Sequence, residues 1–293
     1  MIDSPSSAAP AFDNILHPSD FSEASEVAFV HALKLALVTG ARLTLLHVVE
    51  GQGTEWTDFP SVRATLVKWG LLPQGSPKSA VHELGIQVRK VIETDADPAE
   101  SVLHYLGRHG ADLVVLAPHR HAERVGWLHH SVSEPILRNR GQMTLLVPAG
   151  VRGFVSVAEG SVSLRSMVIP ITNQPRPQPA IAAAMQLAHD LKCPEGIFTL
   201  VHIGDEGTMP AVATPEFPGW QWQRETIPGG VVEGIVGTAR RHHADLIVMG
   251  TDGRHGFLDA LRGSHSERVL RHAPCPLLAV PENDTLPGAS EPD

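Results

Sequence analysis

The sequence is short of cysteine, of aromatic residues and of long apolar runs, and each shortage closes off a class of protein. Two cysteines, Cys193 and Cys275, are too few for a disulfide framework and stand in no metal-binding or redox spacing. A reduced, cytoplasmic compartment is therefore expected. No apolar run reaches the roughly 18 residues that a membrane-crossing helix needs, so no span is expected. Met1 to Pro10 lacks a charged start followed by an apolar run, which argues against a secretory signal. No basic run of the kind that tracks a phosphate backbone is present, and the formal net charge is −9. Nucleic acid is therefore not an expected partner.

What the chain does contain is aliphatic. Hydrophobic residues make up 42% of its 293 positions, charged residues 19% and aromatics 5%. That is an ordinary globular composition, and the length gives a prior of two domains. Cores built from Val, Leu, Ile and Ala suit sheets buried between helices.

An internal repeat supports the division. Ala111-Asp-Leu-Val-Val-Leu matches Ala244-Asp-Leu-Ile-Val-Met. Without a gap, Ser131-Val-Ser-Glu-Pro-Ile-Leu-Arg then matches Ser264-His-Ser-Glu-Arg-Val-Leu-Arg, and Leu145-Leu-Val-Pro matches Leu278-Ala-Val-Pro. The openings correspond as well: Asn14-Ile-Leu-His-Pro with Ser166-Met-Val-Ile-Pro, and Leu45-Leu-His47-Val with Leu200-Val-His202-Ile. The period is too long for a solenoid and means duplication of a whole domain.

Each unit alternates strand and helix. In the first, strands are expected at Asn14–His17, Leu43–Val48, Gln87–Ile92, Leu113–Leu116 and Thr144–Val147. Helices are expected at Glu23–Leu37, Pro98–His109 and Ser133–Asn139. Short aliphatic runs between helices signal a parallel sheet covered on both faces, hence right-handed βαβ units and a doubly wound α/β fold. The expected organisation is a first domain over 1–150, a linker over 151–165, a second domain over 166–282 and a flexible tail over 283–293. Two stretches rich in Gly, Pro and Trp, Gly51 to Val81 and Gly204 to Gln223, break the pattern. They read either as surface excursions or as segments that shape or cover a site, and the role of Trp220 and Trp222 stays open.

The chemistry concentrates after the strand Leu246–Met249. From Gly250 the sequence runs G-x2-G-x9-G-S through Gly253, Gly263 and Ser264, between a buried strand and a helix. Glycine admits positive φ and close approach to a ligand. Successive backbone N–H groups form an anion nest, and a helix N-terminus adds unpaired N–H groups and a positive dipole end. The Ser264 hydroxyl can meet a phosphate oxygen, with Arg254 and Arg262 supplying charge. The plainer alternatives are a strand end at Gly250 and a capping box running from Ser264 to Glu267.

This loop resembles the ATP-binding pattern of the universal stress protein family. Ile15-Leu-His-Pro-Ser-Asp20-Phe-Ser-Glu23, Leu45-Leu-His47-Val-Val and Arg271-His-Ala-Pro-Cys-Pro276 resemble that family's first strand and turn, its second strand and its approach to the last strand. The resemblance covers nearly the whole chain, twice. It implies Rossmann-like, adenine nucleotide α-hydrolase-like domains, each a five-stranded parallel sheet with helices on both faces. It also implies pairing through the last strands, within one chain in tandem members, and a homodimer as a further possibility.

The two units depart from the family in opposite ways. In the first, Ala117, Arg120 and His130 replace the three glycines, while Asp20 keeps the acid that the family uses at the nucleoside end. Asp20 also reads as a helix N-cap, with Ser22 as competitor. The second unit keeps the glycines but has Thr172 where the acid belongs; Thr172 would hydrogen-bond a ribose hydroxyl less strongly than a carboxylate. The first loop gathers His119, Arg120, His121, Arg124, His129 and His130, readable as an anion site, a pH-responsive patch or a solvated loop; the count would allow a metal site, but no recognised ligand spacing is present.

The leading expectation is a regulatory protein that binds ATP, with or without Mg, mainly in the second domain. The candidate binding residues are Gly250, Gly253, Gly263, Ser264, Ser266, Thr172, Arg262 and Arg254. No catalytic residue and no metal site are assigned. Enzymatic activity is expected at most as slow ATP hydrolysis or autophosphorylation at Ser264 or Ser266. The alternatives are a nucleotide-free scaffold and an adenylating enzyme, whose Ser-Gly-Gly loop after the first strand is missing here.

Overall fold

A strand covered on both faces must be apolar at nearly every position, and most strands of this chain meet that condition. The computed structural model describes residues 12–49, 59–118, 142–251 and 265–282, with the backbone alone at 265–267. The first half contains β1 (Asn14–Pro18), α1 (Glu23–Thr39), β2 (Arg42–Val49), α2 (Val62–Lys68), α3 (Ala80–Glu83), β3 (Gln87–Thr94), α4 (Pro98–His109), β4 (Leu113–Leu116) and β5 (Met143–Leu146). The second contains β6 (Ser166–Pro170), α5 (Gln178–Asp190), β7 (Gly196–Ile203), β8 (Trp220–Ile227), α6 (Val231–Arg241), β9 (Leu246–Thr251), α7 (His265–His272) and β10 (Leu277–Pro281).

The strands form one ten-stranded sheet in the order β3-β2-β1-β4-β5-β10-β9-β6-β7-β8. The two halves therefore repeat a single strand order, and all pairings within each half are parallel. They meet at an antiparallel seam that sets Leu145 opposite Leu278 and Leu146 opposite Leu277.

Period-two alternation divides the core. Ile15, Leu113, Val115, Met167, Ile169, Leu246 and Val248 face α1 and α5. Leu16, Val114, Leu116, Val168 and Ile247 face α4, α6 and α7. The repeat explains its own most visible motif. Asp112 Oδ2 accepts the backbone N–H groups of Asp13 and Asn14, each at 2.8 Å. Asp245 Oδ2 does the same for Arg165 and Ser166 at 2.8 and 3.0 Å. The recurrent Ala-Asp-Leu thus ties the start of β4 or β9 to the start of the neighbouring first strand.

Helix ends follow local chemistry. Ser22 caps α1 by accepting from Ser25 N, and Gly40 closes the helix at φ 72°. Asp97 caps α4 through Ala99 N and Glu100 N, with Pro98 in the first turn. Among the described residues no helix is long and apolar enough to cross a membrane.

Three stretches take on more structure than the sequence indicates. Within the stretch Gly51 to Val81, the described residues 59–81 hold α2 and the start of α3. The stretch Gly204 to Gln223 runs into β8, where Trp220 and Trp222 stack on Phe198 with ring centroids 4.3 and 4.5 Å apart. Trp222 is level with Phe198, near the start of β7, so this pair sits toward the amino edge of the sheet and covers no site at the carboxyl edge. Finally, residues 151–165, the expected linker, carry structure of their own. They fold back through a Val155–Val162 bridge and dock on the first half. Val155 N donates to His31 Nε2 at 3.2 Å, Phe154 packs edge-on against His31, and Trp69 Nε1 donates to Val157 O. Gly160 has φ 64°, and a Cβ there would come within 2.3 Å of the Trp69 ring, so only glycine fits. The expected helix Ser133–Asn139 lies outside the described residues, as do both the first loop's His and Arg cluster and the tail from 283.

Candidate functional site

In a doubly wound sheet, ligands bind beyond the carboxyl ends of the strands, where backbone groups and loop side chains converge. In the second half β6 ends at Pro170 and β9 at Thr251, on neighbouring strands. Beyond β6, Ile171 is buried and Thr172 and Asn173 are exposed. His202 braces this corner. Its Nδ1 lies 3.1 Å from Ile171 O and its Nε2 lies 2.9 Å from Thr208 Oγ1. In the first half His47 makes the same contact, Nδ1 to Ser19 O at 2.7 Å. The two histidines of the repeat are therefore braces that fix the turn after the first strand of each half, a role visible beforehand only in their recurrence.

Gly250 is the penultimate residue of β9, paired with Val280. Its φ is not positive, and a Cβ there would meet Pro175 Cγ at 3.4 Å and Arg176 O at 3.5 Å, which is ordinary contact. Among the described residues neither the backbone nor the packing demands glycine here, and the first half carries buried Ala117 at the matching place. Thr172 and Gly250 stand at the same end of adjacent strands. Gly253, Arg254, Arg262, Gly263 and Ser264 lie outside the described residues. Ser266 falls in the first turn of α7, with its side chain outside the description. The G-x2-G-x9-G-S segment thus spans from the end of a buried strand to the start of a helix, the setting that an anion nest requires.

The corresponding corner of the first half is filled by the chain itself. Phe21 adopts φ 62° and stacks on His47 at 4.0 Å, with Phe59 edge-on at 5.2 Å. Lys90 Nζ lies 5.3 Å from the Phe59 centroid, and burial lowers its pKa, with Lys78 adding to the effect. Asp20 Oδ1 accepts from Ser22 N at 3.0 Å and Ser22 Oγ at 2.6 Å. Ser22 is therefore the cap of α1 and Asp20 supports it. Beneath them His17 Nδ1 meets Val115 O at 2.9 Å, while Ser25 Oγ lies 3.4 Å from His17 Nε2 and 2.9 Å from Ser19 Oγ. Burial pushes His17 down to about 4, against weaker raising effects of the Val115 carbonyl and Asp20, so the imidazole is neutral. Phe21, Phe59 and His17 were not foreseen. Nothing in their spacing marks a ring that turns inward through a left-handed residue.

The Universal stress protein family model matches residues 11–148 and 211–281. A universal stress protein of Methanocaldococcus jannaschii is 46% identical over 56 residues, 19% of this chain and 33% of that protein. Universal stress protein A homolog 1 of Coxiella burnetii is 41% identical over 58 residues, 20% of this chain and 40% of that protein. The matched stretches thus span less than half the length of these curated relatives. The crystal structure of a universal stress protein from Archaeoglobus fulgidus superposes with a TM-score of 0.58 at 16% identity, covering 96% of this chain and 99% of that one. That likeness is one of fold.

Proposed function

This chain belongs to the universal stress protein family, and from that premise we propose that it is a stress-response regulator that binds ATP or a related adenine nucleotide in its second domain. The observation that carries the proposal is Gly250: a glycine that the packing of the described residues does not require, at the carboxyl end of a buried strand, opening a glycine loop that leads to a helix. Backbone N–H groups of that loop, the α7 N-terminus and the Ser264 and Ser266 hydroxyls would hold the phosphates. Arg254 and Arg262 would neutralise them and Thr172 would meet the ribose. Mg would accompany the phosphates. The first domain contributes no second site on this reading, because Phe21 and Phe59 fill the corner that Asp20 borders.

The role is binding rather than turnover, with slow hydrolysis or autophosphorylation at Ser264 or Ser266 as the most that the resemblance implies. The antiparallel β5–β10 seam supports a reading in which domains 1–150 and 166–282 pair within one chain, as separate copies would in a dimer. The 151–165 segment would join them, the 283–293 tail would follow, and a homodimer of whole chains would be a further level. The compartment on this reading is the cytoplasm. A nucleotide-free scaffold is the second reading, favoured by Thr172 in place of an acid.

Calorimetric titration of ATP with magnesium decides between them. The wild type should bind one nucleotide per chain, and a Gly253→Arg/Gly263→His variant, which carries the first loop's bulky residues, should bind none. Absence of heat from the wild type would establish the scaffold reading.

A further inference from the structure

We infer that Arg176 is a phosphate-binding residue of the second domain, held in reserve by Glu282. The inference rests on the nucleotide reading above. It starts from a difference between the halves. The turn from β1 to α1 is short and capped by Ser22, whereas the turn from β6 to α5 is longer and has no side-chain cap, with Pro177 at the cap position. The extra length carries Pro175 and Arg176 sideways over the end of β9. Pro175 Cγ and Arg176 O are the atoms nearest to where a Gly250 Cβ would stand, at 3.4 and 3.5 Å.

There Arg176 meets an anion supplied by the chain. Glu282 follows directly on β10, and its backbone N donates to Thr251 O at 2.8 Å, which fixes it beside the end of β9. Its Oε1 accepts from Arg176 Nε at 2.9 Å and from Arg176 N at 3.4 Å. One oxygen receiving a guanidinium N–H and a main-chain N–H ahead of a helix is how a phosphate oxygen is also held. The pair is unequal: the Glu282 side chain is 16% exposed, the Arg176 side chain 66%. The carboxylate is anchored while the guanidinium reaches water, so the arginine is the partner free to turn. An ion pair exposed on one side costs little to break. A phosphate arriving at Gly250 competes with Glu282 for Arg176, and Glu282 sets the threshold for binding.

The alternative is that the pair only fastens the loop to β10. Titrations of the full-length protein with magnesium ATP, and separately with inorganic tripolyphosphate, distinguish the two. They would use the wild type, Glu282→Gln, Arg176→Ala and the double variant, with thermal midpoints to establish folding. Glu282→Gln should tighten both ligands about two- to five-fold, the equilibrium cost of a partly exposed ion pair. Arg176→Ala should weaken both about ten-fold, as expected for a charged hydrogen bond to phosphate. The double variant should match Arg176→Ala, because without the arginine there is nothing to hold in reserve. Equal ATP affinities across the series would overturn it and leave the nucleotide reading standing. Equal weakening in both single variants, alongside lowered midpoints, would reduce the pair to a loop fastening. No heat from the wild type or from Glu282→Gln would end both readings.

Discussion

His17 and His31 are wholly removed from water, one beneath the turn after β1 and the other between α1 and the 151–165 segment. His17 bonds Val115 O and lies near Ser25 and Asp20; His31 bonds Val27 O, accepts from Val155 N and faces the Phe154 ring. Burial takes each imidazole from 6.5 down to about 4. The unfolded chain therefore takes up two protons near pH 6.5 that the folded chain refuses until about pH 4. Stability is whole above pH 6.5 and is lost as the pH falls through that window, by on the order of 1.4 kcal/mol per pH unit for each histidine. Urea midpoints measured at intervals from pH 7.5 to 4.5 should fall accordingly. His31→Gln, which can still accept from Val155 N–H, should remove about half of the slope. An unchanged slope would mean that His31 titrates normally in the folded protein.

The elements show where local chemistry decides structure. Ser22 and Asp97 each satisfy orphan N–H groups at the start of a long helix. Ser22→Ala and Asp97→Ala should each cost about 1 kcal/mol in denaturant unfolding, while Pro177→Ala at the uncapped start of α5 should cost far less. If Ser22→Ala were neutral, Asp20 would have taken over the cap. The same local logic made most of the architecture legible. Pro98–His109 could be read to the residue because Asp97-Pro98 opens it and Gly110 closes it, and Leu113–Leu116 because an aliphatic run that short has no other home. β8 was missed because it is an edge strand. Trp-Gln-Trp-Gln-Arg-Glu-Thr-Ile alternates and carries charge, as strands with one free side do, and so does not resemble the fully covered strands beside it. At the site, the glycine spacing was legible as a pattern between a strand and a helix, although the backbone at Gly250 does not itself require glycine. The packing of Phe21 on His47 and Phe59 was not, because it joins three segments through one residue at positive φ.

The molecule as a whole turns on the β5–β10 seam. Leu145 and Leu278 face each other there on the side covered by α1 and α5, and together with Phe12, Leu35, Leu113 and Met143 they line a narrow apolar cavity between the halves. A seam made of main-chain ladder and buried leucine couples the halves thermodynamically, because opening either one strips apolar cover from the other. Calorimetry should therefore show one transition, with calorimetric and van't Hoff enthalpies in agreement. Leu278→Ala should cost about 2–5 kcal/mol, toward the upper end because it enlarges a cavity that already exists. Leu16→Ala, deep in the first half and away from the seam, is the sharper test. In a coupled molecule it moves the entire endotherm down, second half included. If it moves only part, the halves unfold separately, and the seam is a contact between two independent sheets rather than the middle of one.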